Sequence, residues 1–243
     1  MSWNHPSWQQ PTQQEPIFAV PELRDERVGA FLARVYGWMF LGLMITAGTA
    51  FTVSSSPALI EAFILNRIVF WGLIIAQLGL VFFLSARVDH LSPVAAAGLF
   101  MLYSALVGVT ASVILLAYTG ASITSTFVIA GGMFGAMAVF GSITKRNLAG
   151  WGQFLFMGLI GLILAMVVGF FWQNDALQFV ISIVGVLIFT GLTAYDAQRL
   201  KNMAVALPDG RVGTYAVVGA LSLYLDFINL FFFLLRLLGD RRH

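Results

Sequence analysis

Two aspartates stand in stretches that are otherwise apolar. Asp196 lies in Leu192-Thr193-Ala194-Tyr195-Asp196-Ala197-Gln198-Arg199-Leu200, and Asp226 in Leu221-Ser222-Leu223-Tyr224-Leu225-Asp226-Phe227-Ile228-Asn229-Leu230-Phe231. A carboxylate in hydrocarbon costs at least a few kcal/mol, so such a residue must face a bundle interior, a partner or water. On helical spacing Ser222, Asp226 and Asn229 share one stripe, and Thr193 and Asp196 another. Two polar stripes point to one interior site. Oxygen-only ligands suit hard cations such as Ca²⁺, and two close carboxylates hold one proton between them because they do not readily ionise together. Such a pair can exchange protons for calcium, and the metal-ligating candidates are Asp196 and Asp226 themselves. The plainer alternative is an aspartate that caps a neighbouring helix or pairs with an internal arginine, and it bears more on Asp196, which lies nearer the end of its segment. Arg87 and Arg236, at segment ends, are candidate partners, since a guanidinium forks onto a carboxylate and can latch a site shut. An arginine at a span end can also simply snorkel to the interface. Gln77, in mid-segment, reads as an interhelical hydrogen bond rather than a ligand.

Other chemistries lack their residues. No Glu/His metal motif, GxSxG elbow or glycine-rich phosphate loop is present. The absence of cysteine removes disulfides, thiolate metal sites and thiol nucleophiles. His5, His90 and His243 lie in the tail, a short connection and the last position, which makes no histidine metal site. The hydroxyl-rich run from Thr119 to Thr126 has no base nearby and reads as a helix cap and turn. Basic residues fall between apolar segments, without a patch of interleaved aromatics, so nucleic acid is not an expected partner. Neither an enzymatic activity nor a tightly bound cofactor is expected; calcium enters as a transported ion.

The elements that must position the aspartates follow from composition. Of 243 residues 59% are hydrophobic and 10% charged, against about 25% charged in soluble domains. A spanning helix needs about 20 apolar residues, and on that criterion seven spans are predicted, over 29–53, 68–86, 92–117, 122–143, 149–172, 177–199 and 213–238. Helices are required because lipid offers no partner to an unpaired backbone amide, and a barrel would show short alternating strands. The fold class is therefore all-α integral membrane, with residues 28–240 forming the transmembrane domain. Residues 1–27 are Gln/Pro-rich and polar, and read as a disordered cytoplasmic tail rather than a domain or a signal peptide. Arg24, Arg27, Arg34, Arg87, Lys145, Arg146, Arg199, Lys201 and Arg211 fall on one side of this scheme. The positive-inside rule then places the N-terminus in the cytoplasm and the C-terminus in the periplasm, although Arg236, Arg241 and Arg242 run against that count. Gly131 and Gly135 form a GxxxG pair, read mainly as intramolecular packing, and Trp38, Trp71, Trp151 and Trp172 read as interfacial anchors. One difficulty remains. Consecutive helices run antiparallel, so an Asp196 one turn from the end of the sixth span meets a mid-span Asp226 only if the seventh span is displaced or the connection dips inward.

The run from Ala220 through Asp226 and Phe231 to Arg236, the segment Gly191-Leu192-Thr193-Ala194-Tyr195-Asp196-Ala197-Gln198 and the opening Val35-Tyr36-Gly37-Trp38-Met39 together resemble the Bax inhibitor-one family of membrane proteins, and most closely its bacterial inner-membrane members. The resemblance covers about residues 28 to 240. It implies seven helices with the last one central and surrounded by the other six. It also implies a pH-sensitive calcium leak governed by a di-aspartyl pair, carried onto Asp196 and Asp226, with an arginine of the second helix as latch, for which Arg87 is the nearby candidate. Partners are then the lipid bilayer, calcium and protons, with a long charged loop between sixth and seventh spans available to alter gating. A reading of a different class is a modulator or substrate of a membrane-anchored protease that uses the tail as a handle, in which case deleting residues 2–25 abolishes the interaction and leaves any ion flux intact. The motifs do not match an intramembrane aspartyl protease.

Overall fold

The structure, a computed structural model, describes residues 21–172 and 174–242. It contains seven helices long and apolar enough to cross a membrane: α1 (Pro21–Ser54), α2 (Arg67–Ala86), α3 (Pro93–Ala117), α4 (Gly120–Ile143), α5 (Ala149–Phe171), α6 (Asp175–Ala206) and α7 (Val212–Leu238). Short helical turns at Pro57–Leu59 and Ile60–Leu65 join α1 to α2, and another at Asp209–Arg211 joins α6 to α7. Local chemistry sets the starts. Asn66, Ser92, Thr119 and Asn174 each cap a following helix through the side chain, which satisfies amide donors that a helix start leaves unpaired. Thr119 thus takes the capping role expected of the hydroxyl-rich run.

The last helix is central. Residues buried along α7 occupy nearly its whole circumference, and α1, α3, α4 and α6 pack directly on it. The expectation of six surrounding helices needs correction, because α2 and α5 form an outer layer, α2 on α3 and α5 on α6. Their exposed Phe, Ile and Leu side chains, among them Phe82, Phe154 and Phe171, then face lipid. A helix hydrophobic all round is one buried in a core or a membrane, and here the two cases divide between α7 and the outer pair.

Two predicted boundaries move. α1 begins at Pro21, inside the stretch read as tail, with proline in the first turn and Asp25 and Glu26 soon after, both favourable at a helix N-terminus. α6 continues to Ala206 rather than stopping at 199. One contact holds both extensions: Arg27 Nε donates to the Ala204 carbonyl at 3.1 Å, and its guanidinium also donates to the Leu207 carbonyl. These are carbonyls that the end of a helix leaves without partners. The long charged loop foreseen between the sixth and seventh spans is consequently a short turn. At its far side Arg211 donates to the Asp89 carbonyl and pairs with the Asp89 carboxylate at 3.8 Å, which Tyr215 Oη also approaches at 2.7 Å. α7 is thereby tied to the connection between α2 and α3.

The glycine pair on α4 also departs from expectation. A Cβ built on Gly131 or Gly135 meets nothing within 4 Å, so this pair does not serve packing within the chain. The close approaches lie elsewhere: Gly141 sits against the Ala194 backbone, Gly152 against the Tyr195 ring and Gly185 against the Phe233 ring. Trp71, Trp151 and Trp172 stand near helix ends as predicted, but the longer α1 places Trp38 near its middle.

Candidate functional site

Helix register brings the two aspartates to one level. Phe189 of α6 and Phe233 of α7 stack with ring centroids 5.9 Å apart and an interplanar angle of 23°. Asp196 follows Phe189 by seven residues and Asp226 precedes Phe233 by seven. Seven residues are close to two helical turns, about 10.5 Å. In an antiparallel pair, equal steps from one facing pair lead to another on the same sides. The extension of α6 removes the depth difficulty, since Asp196 lies ten residues before Ala206 and Asp226 fourteen after Val212, leaving the two within about one turn, roughly 6 Å, along the axis.

Their surroundings differ. Asp226 is 5% exposed, among buried Leu223, Tyr224, Phe227 and Leu230, and its Oδ2 has no hydrogen-bond partner among the described residues. The Asp196 side chain is 13% exposed, and its Oδ1 lies 3.5 Å from Nη1 of Arg199, one turn further along α6 and 48% exposed. Two carboxylates and one guanidinium thus lie within about two turns of one another along the α6–α7 pair. Arg199, the more exposed partner of the ion pair, lies on the side of Asp196 toward the α6–α7 turn. Toward the other end, the stacked Phe189 and Phe233 close the α6–α7 interface.

The predicted supporting residues divide. Thr193 Oγ1 donates to the Phe189 carbonyl at 2.8 Å and Asn229 Nδ2 to the Leu225 carbonyl at 2.8 Å, each within its own helix. Ser222 is half-buried on α7. Arg87 follows the end of α2, is exposed, and makes no side-chain hydrogen bond or ion pair to either aspartate among the described residues. Arg236 lies ten residues beyond Asp226, about 15 Å along α7, where it donates to Gln178 Oε1 at 2.9 Å. The cation set against the pair is Arg199, which the sequence signalled: it stands three residues after Asp196, at the spacing of helical neighbours. Gln77 makes the interhelical bond foreseen for it, with Nε2 3.1 Å from the Leu106 carbonyl and 3.3 Å from Thr110 Oγ1.

Two further polar groupings hold the site's frame. Thr46 Oγ1 of α1 lies 2.6 Å from Tyr224 Oη, 2.9 Å from the Ser104 carbonyl and 3.0 Å from the Gly42 carbonyl. A hydroxyl carries one hydrogen. Thr46 therefore donates to a carbonyl and accepts from Tyr224, two residues before Asp226. The Tyr224 ring packs edge-on against Phe100 and Tyr103, so α1, α3 and α7 are locked together beside the aspartate. On α6, Gln198 accepts from the Leu148 amide and donates to the Arg146 carbonyl, both at 2.8 Å, and Lys201 Nζ donates to the Ser142 carbonyl at 2.7 Å. These bonds fix α6 against the α4–α5 connection. No periodicity in the sequence identifies Thr46 or Ser104 as partners of Tyr224.

Comparison with known proteins agrees with this frame. A family model described as "Inhibitor of apoptosis-promoting Bax1" matches residues 28–243. Inner membrane protein YbhL of Escherichia coli K12 is 51% identical over 215 residues, covering 87% of this chain and 92% of the relative. An uncharacterized protein of Borreliella burgdorferi is 46% identical, covering 88% of this chain and 93% of its own length, and one of Deinococcus radiodurans 42% identical, covering 89% and 93%. Matched along nearly its whole membrane domain, the chain is a seven-helix membrane protein of the Bax inhibitor family.

Proposed function

We propose that this chain is a pH-sensitive calcium leak of the bacterial inner membrane, gated by proton exchange at Asp196 and Asp226. The observation that carries the reading is an enclosed aspartate, one of whose oxygens lacks a partner among the described residues, within about one helical turn along the axis of a largely buried aspartate that is itself engaged by Arg199. The inner-membrane assignment follows the relative in Escherichia coli. By the positive-inside rule the N-terminus and the α6–α7 turn are cytoplasmic and the C-terminus periplasmic.

In this mechanism calcium, protons and Arg199 compete for the same carboxylate oxygens. Arg199 paired with Asp196 closes the cytoplasmic side of the site, taking the latch role first sought in Arg87. Calcium requires ionised carboxylates and must displace the guanidinium and any shared proton. Two side chains supply fewer than the 6–8 oxygens calcium coordinates, and hydrating water completes the shell; such partial ligation suits an ion in transit, which must bind weakly enough to leave. Phe189 and Phe233 form an apolar constriction on the periplasmic side, a type of barrier that conducts once wetted. The protein performs no covalent chemistry in this account and needs no resident cofactor.

Calcium flux into proteoliposomes across a pH series tests the reading. A pH-dependent flux that loses its pH dependence in both Asp196→Asn and Asp226→Asn supports it, and a pH response that survives both substitutions overturns it.

A further inference from the structure

Arg236 and Arg241 line one pocket, away from the aspartates and beyond the phenylalanine pair. The pocket, of about 590 Å³, opens between α5, α6 and the end of α7. Met166 and Phe170 of α5 and Phe179 of α6 form apolar walls, and both phenylalanines are exposed on the lipid-facing surface. Gln178 crosses the inner side. A Cβ on Gly169 would lie 2.8 Å from Gln178 Nε2, so the glycine is what lets this side chain rest against α5, where Nε2 donates to the Gly169 carbonyl at 3.3 Å. Its Oε1 then accepts from Arg236 Nη1 at 2.9 Å.

A neutral amide therefore aims the Arg236 guanidinium and leaves its charge unpaired. Arg236 also lies 6.0 Å from the Phe233 ring centre, and Arg241 6.0 Å from that of Tyr118. Both guanidiniums are held by aromatic faces, and neither forms an ion pair among the described residues. Asp175, the acidic residue lining the pocket, engages neither. A guanidinium presents five N–H donors in a fork that matches phosphate oxygens. Two of them beside an apolar wall at a membrane end form a site for a phosphate group with hydrocarbon attached.

We propose that this pocket binds a phosphate-bearing anion through Arg236 and Arg241, with Met166, Phe170 and Phe179 flanking the acyl chains when the anion is a phospholipid headgroup. Titrating the purified full chain in neutral detergent with short-chain phosphatidylglycerol, phosphatidylcholine and inorganic phosphate, with bound ligand followed by native mass spectrometry, tests it. Phosphatidylglycerol is expected to bind saturably and more tightly than phosphatidylcholine, and inorganic phosphate alone distinguishes a soluble anion from a lipid. Arg236→Gln and Arg241→Gln should each weaken binding about fivefold, the factor corresponding to about 1 kcal/mol per basic residue near an anionic lipid. Asp175→Asn should tighten it, and Arg242→Gln, outside the pocket lining, should leave it unchanged. Arg241 lies beyond α7, so Arg241→Gln carries the test if the Arg236 variant does not fold. Equal affinity in Arg241→Gln and the unaltered protein, or equal binding of phosphatidylcholine and phosphatidylglycerol without binding of inorganic phosphate, overturns the proposal.

Discussion

Replacing Phe233 by alanine should open the far side of the α6–α7 interface without touching the aspartates. The ring is 5% exposed, stacks on Phe189 at 5.9 Å and rests on Gly185, where a Cβ would come within 2.6 Å of it. Its removal therefore bares the helix backbone at Gly185 as well as the Phe189 ring. The void is on the order of 100 Å³, and at about 24 cal/mol per Å³ a dry cavity of that size costs about 2.4 kcal/mol. The 3–5 kcal/mol typical of Phe→Ala in soluble cores is an upper bound here, because lipid is as apolar as the side chain and no transfer term is lost between membrane helices. With each water taking about 30 Å³, the same space admits about three, held by the exposed backbone. Thermal unfolding in detergent should show the destabilisation, and calcium flux in proteoliposomes should rise at every pH while retaining its pH dependence, since Asp196 and Asp226 are unchanged. A folded Phe233→Ala protein with unaltered flux would refute the assignment of the phenylalanine pair as the barrier.

Other consequences are separable. Tyr224→Phe removes a donor from Thr46 but leaves the threonine's own bond to a carbonyl, so its cost should fall near the membrane average of about 0.6 kcal/mol; Thr46→Val strands the buried Tyr224 hydroxyl and should cost about 1–3 kcal/mol. Thermal unfolding that shows the two costs equal would contradict the bond directions given above. Gly141→Val should destabilise by at least about 1–3 kcal/mol, because a side chain there meets the Ala194 backbone, whereas Gly135→Ala, into open space, should be neutral or stabilise by up to about 1 kcal/mol through helix propensity. Thermal unfolding of the two variants checks the contrast, and a reversed order would place the wrong face of α4 against α6. On the proposed mechanism calcium and protons share the same oxygens, so each weakens the other by the same factor. Raising calcium should move the midpoint of the flux–pH curve to lower pH, and a midpoint that stays fixed would separate the proton site from the calcium site.

The spans were legible because apolar length is a sufficient signal for a helix in lipid, and predicted and observed ends agree within about two residues for five of the seven helices. The exceptions, the start of α1 and the end of α6, share one cause. Both run past the apolar stretch into polar sequence, and the Arg27 contacts that hold them join residues some 180 positions apart, beyond the reach of any local window. The glycines failed for another reason: spacing shows that two small residues share a helix face, not whether that face meets a helix or lipid. The aspartates were found because a carboxylate among apolar residues is conspicuous in any register. The i, i+3 spacing of Arg199 to Asp196 is itself a local signal of the ion pair, whereas the end-of-span position of Arg87 carries no information on which residue it meets. The Thr46–Ser104–Tyr224 cluster left no local trace, since a threonine and a serine on membrane helices commonly bond to their own backbone, as Ser104 does to the Phe100 carbonyl.

On the proposed function, Asp196 and Asp226 act as one proton-exchanging unit in calcium passage. Calcium flux into proteoliposomes over a pH series, measured for the unaltered chain, Asp196→Asn, Asp226→Asn and the double variant, addresses it most directly. A single unit predicts that either substitution flattens the pH response and that the double variant behaves like the singles, because effects within one coupled network do not add. Independent, additive changes in the two singles, or a pH response intact in the double variant, would contradict it.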